Sequence, residues 1–338
     1  KDYDKSVTEL PYSEDGKKIF YNNIKQTNFK KLPGTPLAYW IKNVILSLFE
    51  NHTVEEDACP RQGMATTNNE RFLRLWFEVS TKNIGFNINN EEETINSYIW
   101  YPYKKGGTPI KWYGNQEYIV NFANKGKEIC QYIDSHSKVN HKGRVINRDK
   151  YFKESLSWSL TSSDNTTAFR YYPKGFIFDI NGMSMFPSNN LYGLLGYLNS
   201  KLASVLLQII NPTMACQIGD VSKLPICLIS GTDDIVKQNI SISKSDWDTH
   251  ETSWDFTQNE LLSINADTYM SIMNDYADFH QLCIDLAPSE PSSLSWRVDV
   301  YKTKWETQFY RLHSNEEELN RMFIDIYGLQ DELTPDVP

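Results

Sequence analysis

Carboxylates, imidazoles, thiols and a cluster of basic groups are the side chains here that could do chemistry, and their spacing limits what that chemistry is. The carboxylates gather in Asp233-Asp234, Asp246-Trp247-Asp248 and Glu316-Glu317-Glu318. Two carboxylates can share acid and base roles on a sugar, but runs of like charge usually form solvated faces. The six histidines (His52, His136, His141, His250, His280, His313) are dispersed, and the step from His136 to His141 does not set two ligands on one helix face. The five cysteines (Cys59, Cys130, Cys216, Cys227, Cys283) are odd in number and never form a Cys-x-x-Cys pair, so they read as buried thiols. Phosphate loops of the GxxxxGK(S/T) type, GxSxG elbows and HExxH helices are all missing from the sequence. No catalytic residue and no metal site is therefore expected. What remains is basic: residues 101–175 hold 13 Lys and Arg against 6 Asp and Glu, interleaved with Trp112, Tyr113 and Trp158. Cations of this kind displace counterions from phosphates, and aromatic rings can stack on bases. A plain soluble surface over buried aromatic core is the alternative.

The elements that would position these groups are legible in outline. Pro33-Gly34-Thr35-Pro36 predicts a helix start with Thr35 as cap, followed by Leu37, Trp40, Ile41, Ile45 and Leu48 at helical spacing. Residues 58–71, rich in Gly, Thr and Asn, read as a loop before an aromatic run from Phe72 to Val79. Short alternating stretches such as Tyr118-Val120-Phe122 and Phe176-Phe178-Ile180 predict β-structure between residues 100 and 190. A single helix is expected from Leu191 to Ile210, stopped by Asn211-Pro212. Beyond Ile242 the pattern turns helical, and Ser314 with Glu317 reads as a capping box dividing two long helices. The fold class is then mixed α+β, with a β-rich domain followed by a mainly helical region. Residues 1–57 form an N-terminal helical or connecting segment, 58–230 the β-rich domain with its packed helix, and 231–338 the acidic helical region.

At 338 residues with 40% apolar and 23% charged side chains, the chain is long and apolar enough for about two folded domains. The net charge of -9 hides an asymmetry, because residues 228–338 carry 7 basic groups against 21 acidic ones. Such a contrast is what a basic binding face beside an acidic solvated part leaves in a sequence. No apolar run reaches the ~18 residues of a membrane span, and the opening Lys1-Asp2-Tyr3-Asp4-Lys5 is unlike a signal peptide, so a cytoplasmic protein is expected.

Several stretches resemble the PglX family of BREX phage-defence methyltransferases, which is related to restriction-modification enzymes. They are PRQGMATTNNERFLR at 60–74, KWYGN at 111–115, WSLTSS at 158–163, PKGFIFD at 173–179, LNSK at 198–201, ETSWDF at 251–256, ELNR at 318–321 and YGLQDELTP at 327–335. The matches run in order across most of the chain. The resemblance implies a target-recognition fragment C-terminal to a methyltransferase core that flips adenine and uses S-adenosylmethionine. The Asn-Pro-Pro-Tyr/Phe motif of that core has only an echo in Asn211-Pro212-Thr213, and no S-adenosylmethionine turn is present, so the fragment is expected to hold no cofactor and to be inactive alone.

On this reading the partner is double-stranded DNA, and no membrane is involved. Arg suits guanine, Asn suits adenine, and Ser or Thr serves either. Arg144, Arg148, Arg170 and Asn165, with Thr161, Ser162 and Ser163, are the expected base readers. Lys111, Lys142, Lys150 and Lys174 are expected on phosphates, to fix register. Thr66, Thr67, Asn68 and Asn69 either approach the flipped base or form a simple connecting loop. Two competing readings are a protein-binding module for other defence proteins, or for a DNA-mimicking phage inhibitor, and an aromatic-rich carbohydrate-active domain.

Overall fold

The aromatic and branched stretches between residues 73 and 185 favour short extended strands, and several bury consecutive residues on both faces, Tyr101 to Lys104 and Ser155 to Trp158 among them. In the computed structural model, which describes residues 32–33, 41–161, 167–265, 267, 269–272 and 293–338, they make two sheets. The first holds β1 (Leu73–Leu75), β2 (Trp100–Lys104), β3 (Tyr118–Asn121) and β6 (Ile177–Phe178) in the order β1-β3-β2-β6. Its β3 runs antiparallel to both neighbours, with Tyr101 opposite Val120, and β6 joins β2 in parallel. The second holds β4 (Ser155–Trp158), β5 (Phe169–Tyr172) and β7 (Ser184–Met185), antiparallel in the order β5-β4-β7.

Two hydrophobic cores follow from these sheets. The first sheet packs on α4 (Ala123–His136), with Phe72, Tyr101, Phe122, Ile129 and Phe152 fully enclosed. The second sheet packs on α5 (Leu191–Leu198) and α6 (Lys201–Ile210), through Trp158, Phe169, Leu194 and Leu206. That core is closed by Val236 of α8 (Asp233–Asp248) and by Leu319 and Phe323 of α9 (Leu294–Ile326), so one apolar interior runs across residue 230. Shorter helices α1 (Asn43–Leu48), α2 (Val54–Ala58), α3 (Asn69–Phe72) and α7 (Ile218–Ser222) cover its flanks and the loops. The chain is thus an α+β protein with strands concentrated before its C-terminal helices.

Two helix expectations are corrected. The helix expected from Leu191 to Ile210 breaks by 68° between α5 and α6. Asn199 causes the break: its side-chain amide donates to Phe169 O (2.9 Å) and accepts from Phe169 N (3.0 Å), which ties the chain to β5. Ser200 then caps α6 by accepting from Ala203 N. Conversely, the region around Ser314 is unbroken, and α9 runs 33 residues without interruption. It contains neither Gly nor Pro, so nothing in its backbone chemistry forces a turn. The start expected at Thr35 and Pro36 lies outside the described residues; α1 begins at Asn43 and buries Ile45 and Leu48. As expected, α6 stops at Ile210, and Asn211 turns its side chain to Ala215 O and Asp220. No single described helix is long and apolar enough to cross a membrane.

Candidate nucleic-acid interface

The 61–66 loop has no regular structure of its own and takes its path from the sheets. Arg61 bridges Ser184, Met64 N donates to Phe178 O at 2.7 Å, and Ala65 N donates to Arg144 O at 2.8 Å. Gly63 permits this approach, because a Cβ there would stand 1.9 Å from Phe178 O. The loop ends in Asn68, which caps α3 by accepting from Arg71 N and donates to Tyr132 OH at 2.9 Å. Thr66 is buried and bonds to Asn69, while Thr67 projects outward from a left-handed backbone (φ 61°).

This loop forms one wall of a cleft of about 640 Å³. Thr66, Thr67 and Asn69 line it from one side, Arg144 and the His136-Ser137-Lys138 end of α4 from another, and Lys105 with residues 179–181 form the base. Its charged groups are Lys105, Lys138, Arg144 and Asp179. The one carboxylate is already engaged: Asp179 is almost fully buried, pairs with Lys105 at 2.8 Å, and accepts from the Tyr103 hydroxyl at 2.8 Å. Burial and the neighbouring Asp179 push that hydroxyl well above its ordinary pKa, so it stays a neutral donor. Arg144 Nε is screened from solvent without a hydrogen-bond partner among the described residues. A polar, cationic cleft with spare donors is suited to an anionic, acceptor-rich ligand.

The other expected site residues are placed as follows. Thr161 is exposed at a bridge to Ala215, one residue beyond Leu160, whose N–H donates to Asn181 O at the base of the cleft. Ser162, Ser163 and Asn165 lie outside the described residues. Lys142 is exposed on the turn two residues before Arg144. Two arginines leave the set of base readers. Arg170 is fully enclosed, donating to Ser159 Oγ and the carbonyls of Thr108 and Ile110, so it cannot reach a base edge. Arg148 forks onto Glu91 (2.9 and 3.0 Å) and donates to Lys125 O, which makes it a brace between α4 and the 91–94 turn. Among the lysines, Lys111 pairs with Glu316 of α9 at 2.7 Å, Lys150 lies 5.8 Å over the Phe186 ring beside Asp149, and Lys174 borders a different cleft. Lys105, His136, Lys138 and Asn181 line the cleft without having been singled out in the sequence. Lys105 and Lys138 do fall in the basic segment, and their Gly-Gly and Ser-His-Ser contexts were the available signal.

Three of the clustered carboxylates are held by close partners, while Asp234 is fully exposed. Asp248 pairs with Lys244, Glu316 with Lys111 and the Trp112 indole, and Glu318 with Arg321. Among the described residues four cysteines are free thiols, Cys227 buried and Cys59, Cys130 and Cys216 half-buried, and Cys283 lies outside the described residues. Among the described residues no group of three His, Cys, Asp or Glu could hold a metal ion.

No family model matches the chain. A solved structure of the Type IIL restriction-modification enzyme MmeI in complex with DNA covers 84% of this chain and 34% of that one, at 11% identity and a TM-score of 0.39, a likeness too distant to carry an argument. Sequence relatives are nearer. The adenine-specific methyltransferase PglX of Lacticaseibacillus casei (strain Zhang) is 36% identical over 326 residues, covering 92% of this chain and 24% of the relative. The adenine-specific methyltransferase BrxX of Escherichia coli O9:H4 (strain HS) is 35% identical over 249 residues, covering 72% of this chain and 19% of the relative. With these identities along its length the chain belongs to the PglX and BrxX family of adenine-specific methyltransferases, as a segment spanning about a quarter or less of each relative.

Proposed function

We propose that this chain is the DNA target-recognition region of an adenine-specific methyltransferase of the PglX type, and that the Arg144 cleft is where it meets the duplex. Residues 58–230 carry the recognition surface on this reading, and residues 231–338 brace it. One observation carries the reading: two separately chosen groups, Arg144 and the Thr66-to-Asn69 loop, line one cleft whose single carboxylate is already neutralised by Lys105. Arg144 has a fork suited to guanine O6 and N7. Lys138 and Lys142 flank it at positions suited to phosphates. Thr67 and Asn69 offer a hydroxyl and an amide on the facing wall.

S-adenosylmethionine does not fit this cleft. Its sulfonium would face Lys105, Lys138 and Arg144, and the Asp179 carboxylate is committed. No step of methyl transfer is derived for this chain. The cofactor and the transfer belong to the whole methyltransferase, to which this region supplies an address.

The test is a pair of substitutions in the full-length enzyme. Arg144→Ala is expected to alter or abolish the methylated sequences across a genome while the unfolding temperature stays within error of the parent. Arg148→Ala, which strands Glu91, is expected to cost about 2 kcal/mol of stability. Unchanged methylation in a folded Arg144→Ala enzyme would overturn the proposal.

A second reading is favoured by one observation. Leu294, Phe309 and Ile326 are 70%, 60% and 61% exposed on α9, and their spacing at about 100° per residue places them within one arc of the helix. About 22 and 26 Å apart along the helix, they are three apolar points on one exposed face, which suits contact with another protein of a defence complex. DNA affinity that does not fall with rising salt would favour it over the cleft.

A further inference from the structure

A cleft of about 500 Å³, sharing no residue with the Arg144 cleft, has a different chemistry. Its wall is aromatic: Trp254 stands 5.2 Å from Phe86 and 5.8 Å from Phe176, ring centre to ring centre. Trp254 and Phe86 are half-buried and so present ring area to a ligand. Gly175, at φ 102°, lets the 174–176 backbone close against Asn87, where a Cβ would stand 3.2 Å from the Asn87 N–H nitrogen.

Two polar groups in this cleft have no partner to explain them. Gln116 lines it and is only 2% exposed, yet its Nε2 has no hydrogen-bond partner among the described residues. Its Oε1 is taken, accepting from the Tyr113 hydroxyl at 3.1 Å. Lys174 is exposed at the rim and forms no ion pair with a described residue. Lys244, on the same cleft, is by contrast held by Asp248 and Asp255. A buried amide N–H without an acceptor carries a cost that a bound ligand can remove.

We propose that this cleft binds a nucleotide whose base carries a ring carbonyl, the ring lying against Trp254, the carbonyl accepting from Gln116 Nε2, and the phosphate directed to Lys174. A volume of this size holds one nucleotide. Aromatic faces stack any base, so the selectivity resides in Gln116. A free glutamine amide can pair with adenine through both its oxygen and its nitrogen. Here the oxygen already accepts from the Tyr113 hydroxyl, so the group left to read a base is the unpartnered N–H, which favours a carbonyl over an adenine ring nitrogen flanked by its amino group. Thymine offers its O4 to the one group available. The nucleotide can be a free monophosphate or one residue of an unpaired strand, since both present the same ring and phosphate.

The experiment is calorimetric titration of the full-length protein with dTMP, dAMP, thymidine, and oligo-dT and oligo-dA of ten nucleotides. Thymine forms are expected to bind about tenfold or more tightly than adenine forms. Trp254→Ala is expected to weaken binding roughly tenfold. Lys174→Glu, an exposed change that leaves the interior intact, is expected to weaken dTMP but not thymidine. Gln116→Glu should erase the preference for thymine over adenine. Binding of dTMP identifies a free-nucleotide site, and binding of oligo-dT alone a strand site. Arg144→Ala should leave the binding of dTMP and thymidine unchanged, which separates this site from the duplex cleft. Absence of binding for dTMP and oligo-dT alike, or thymine binding indifferent to both Trp254→Ala and Lys174→Glu, would overturn the proposal.

Discussion

Arg144, Arg148 and Arg170 share a basic segment and a type, yet only Arg144 lines a cleft large enough for a ligand, whereas Arg148 is held by Glu91 and Arg170 is fully enclosed. What separates them is distant in sequence: Glu91 lies 57 residues before Arg148, and Thr108 lies 62 before Arg170. Local composition carries no trace of such partners. Lys104 is another case. It is enclosed by the rings of Tyr172, Phe178 and Phe186 and bonds to the hydroxyls of Ser155 and Ser184, with no carboxylate partner. Burial, and then the nearby Arg170, lower its pKa from 10.5 to about 7. The sign follows from proton uptake. Between about pH 7 and 10.5 the unfolded chain holds a proton at this lysine that the folded chain does not, so stability rises with pH through that window. Below about pH 7 both states are protonated, and the folded state bears the charge at its full cost. Unfolding temperatures from pH 7 to 9.5 are therefore expected to rise in the parent and to rise less in Lys104→Met. Parallel slopes in the two proteins would show that Lys104 is not the group responsible.

Elements were legible where a single face decides them and illegible where a side chain breaks in. The β-rich middle is legible from its aromatic and branched residues, although β2 and β3 bury consecutive positions, Tyr101 to Lys104 and Ile119 with Val120, rather than alternate ones. The continuous apolar stripe from Leu191 to Ile210 gave no warning of the 68° break, because apolar periodicity persists through Asn199-Ser200. Asn199 acts on β5 from 30 residues away, and that link is tertiary. Removing it should expose what the break is worth. Asn199→Ala leaves the buried N–H of Phe169 without its acceptor, while the Phe169 C=O keeps the Trp112 N–H at 3.0 Å, at an expected cost of about 2 kcal/mol. Ser200→Ala should cost about 1 kcal/mol through the lost α6 cap. Thermal unfolding of both variants checks this order, and equal losses would mean that the amide bonds contribute no more than the cap. Ser314 is the converse case. A capping-box pattern embedded in a run of good helix formers was overruled by continuous packing of α9 against α8 and α6.

At the scale of the molecule, charge decides how DNA can be held. A net charge of -9 repels a polyanion at long range, so association has to rest on a local basic surface rather than on the average field. Several basic residues of the 101–175 segment are spent internally: Lys111 on Glu316, Lys125 on Glu92, Arg148 on Glu91, and Lys105 on Asp179. The Lys111 and Trp112 contacts with Glu316 fasten the β-rich part to α9, so positive charge has been traded for rigidity. That leaves Lys138 and Arg144 lining the cleft, and Lys142 exposed two residues before Arg144, as cations without an ion pair among the described residues. Each phosphate neutralised contributes about -0.9 to the slope of log affinity against log salt. This region's share of that slope should then be modest, roughly -2 to -3, so affinity falls with rising salt but less steeply than for a larger basic surface. Lys142→Ala in the full-length enzyme is expected to weaken all DNA sequences alike and to reduce the magnitude of the slope by about 1. Lys111→Ala, whose cation is already engaged by Glu316, should leave the slope unchanged while lowering the unfolding temperature. If the slope falls with Lys111→Ala and not with Lys142→Ala, the duplex lies against the α9 side of the molecule and the Arg144 cleft is not where phosphates are held.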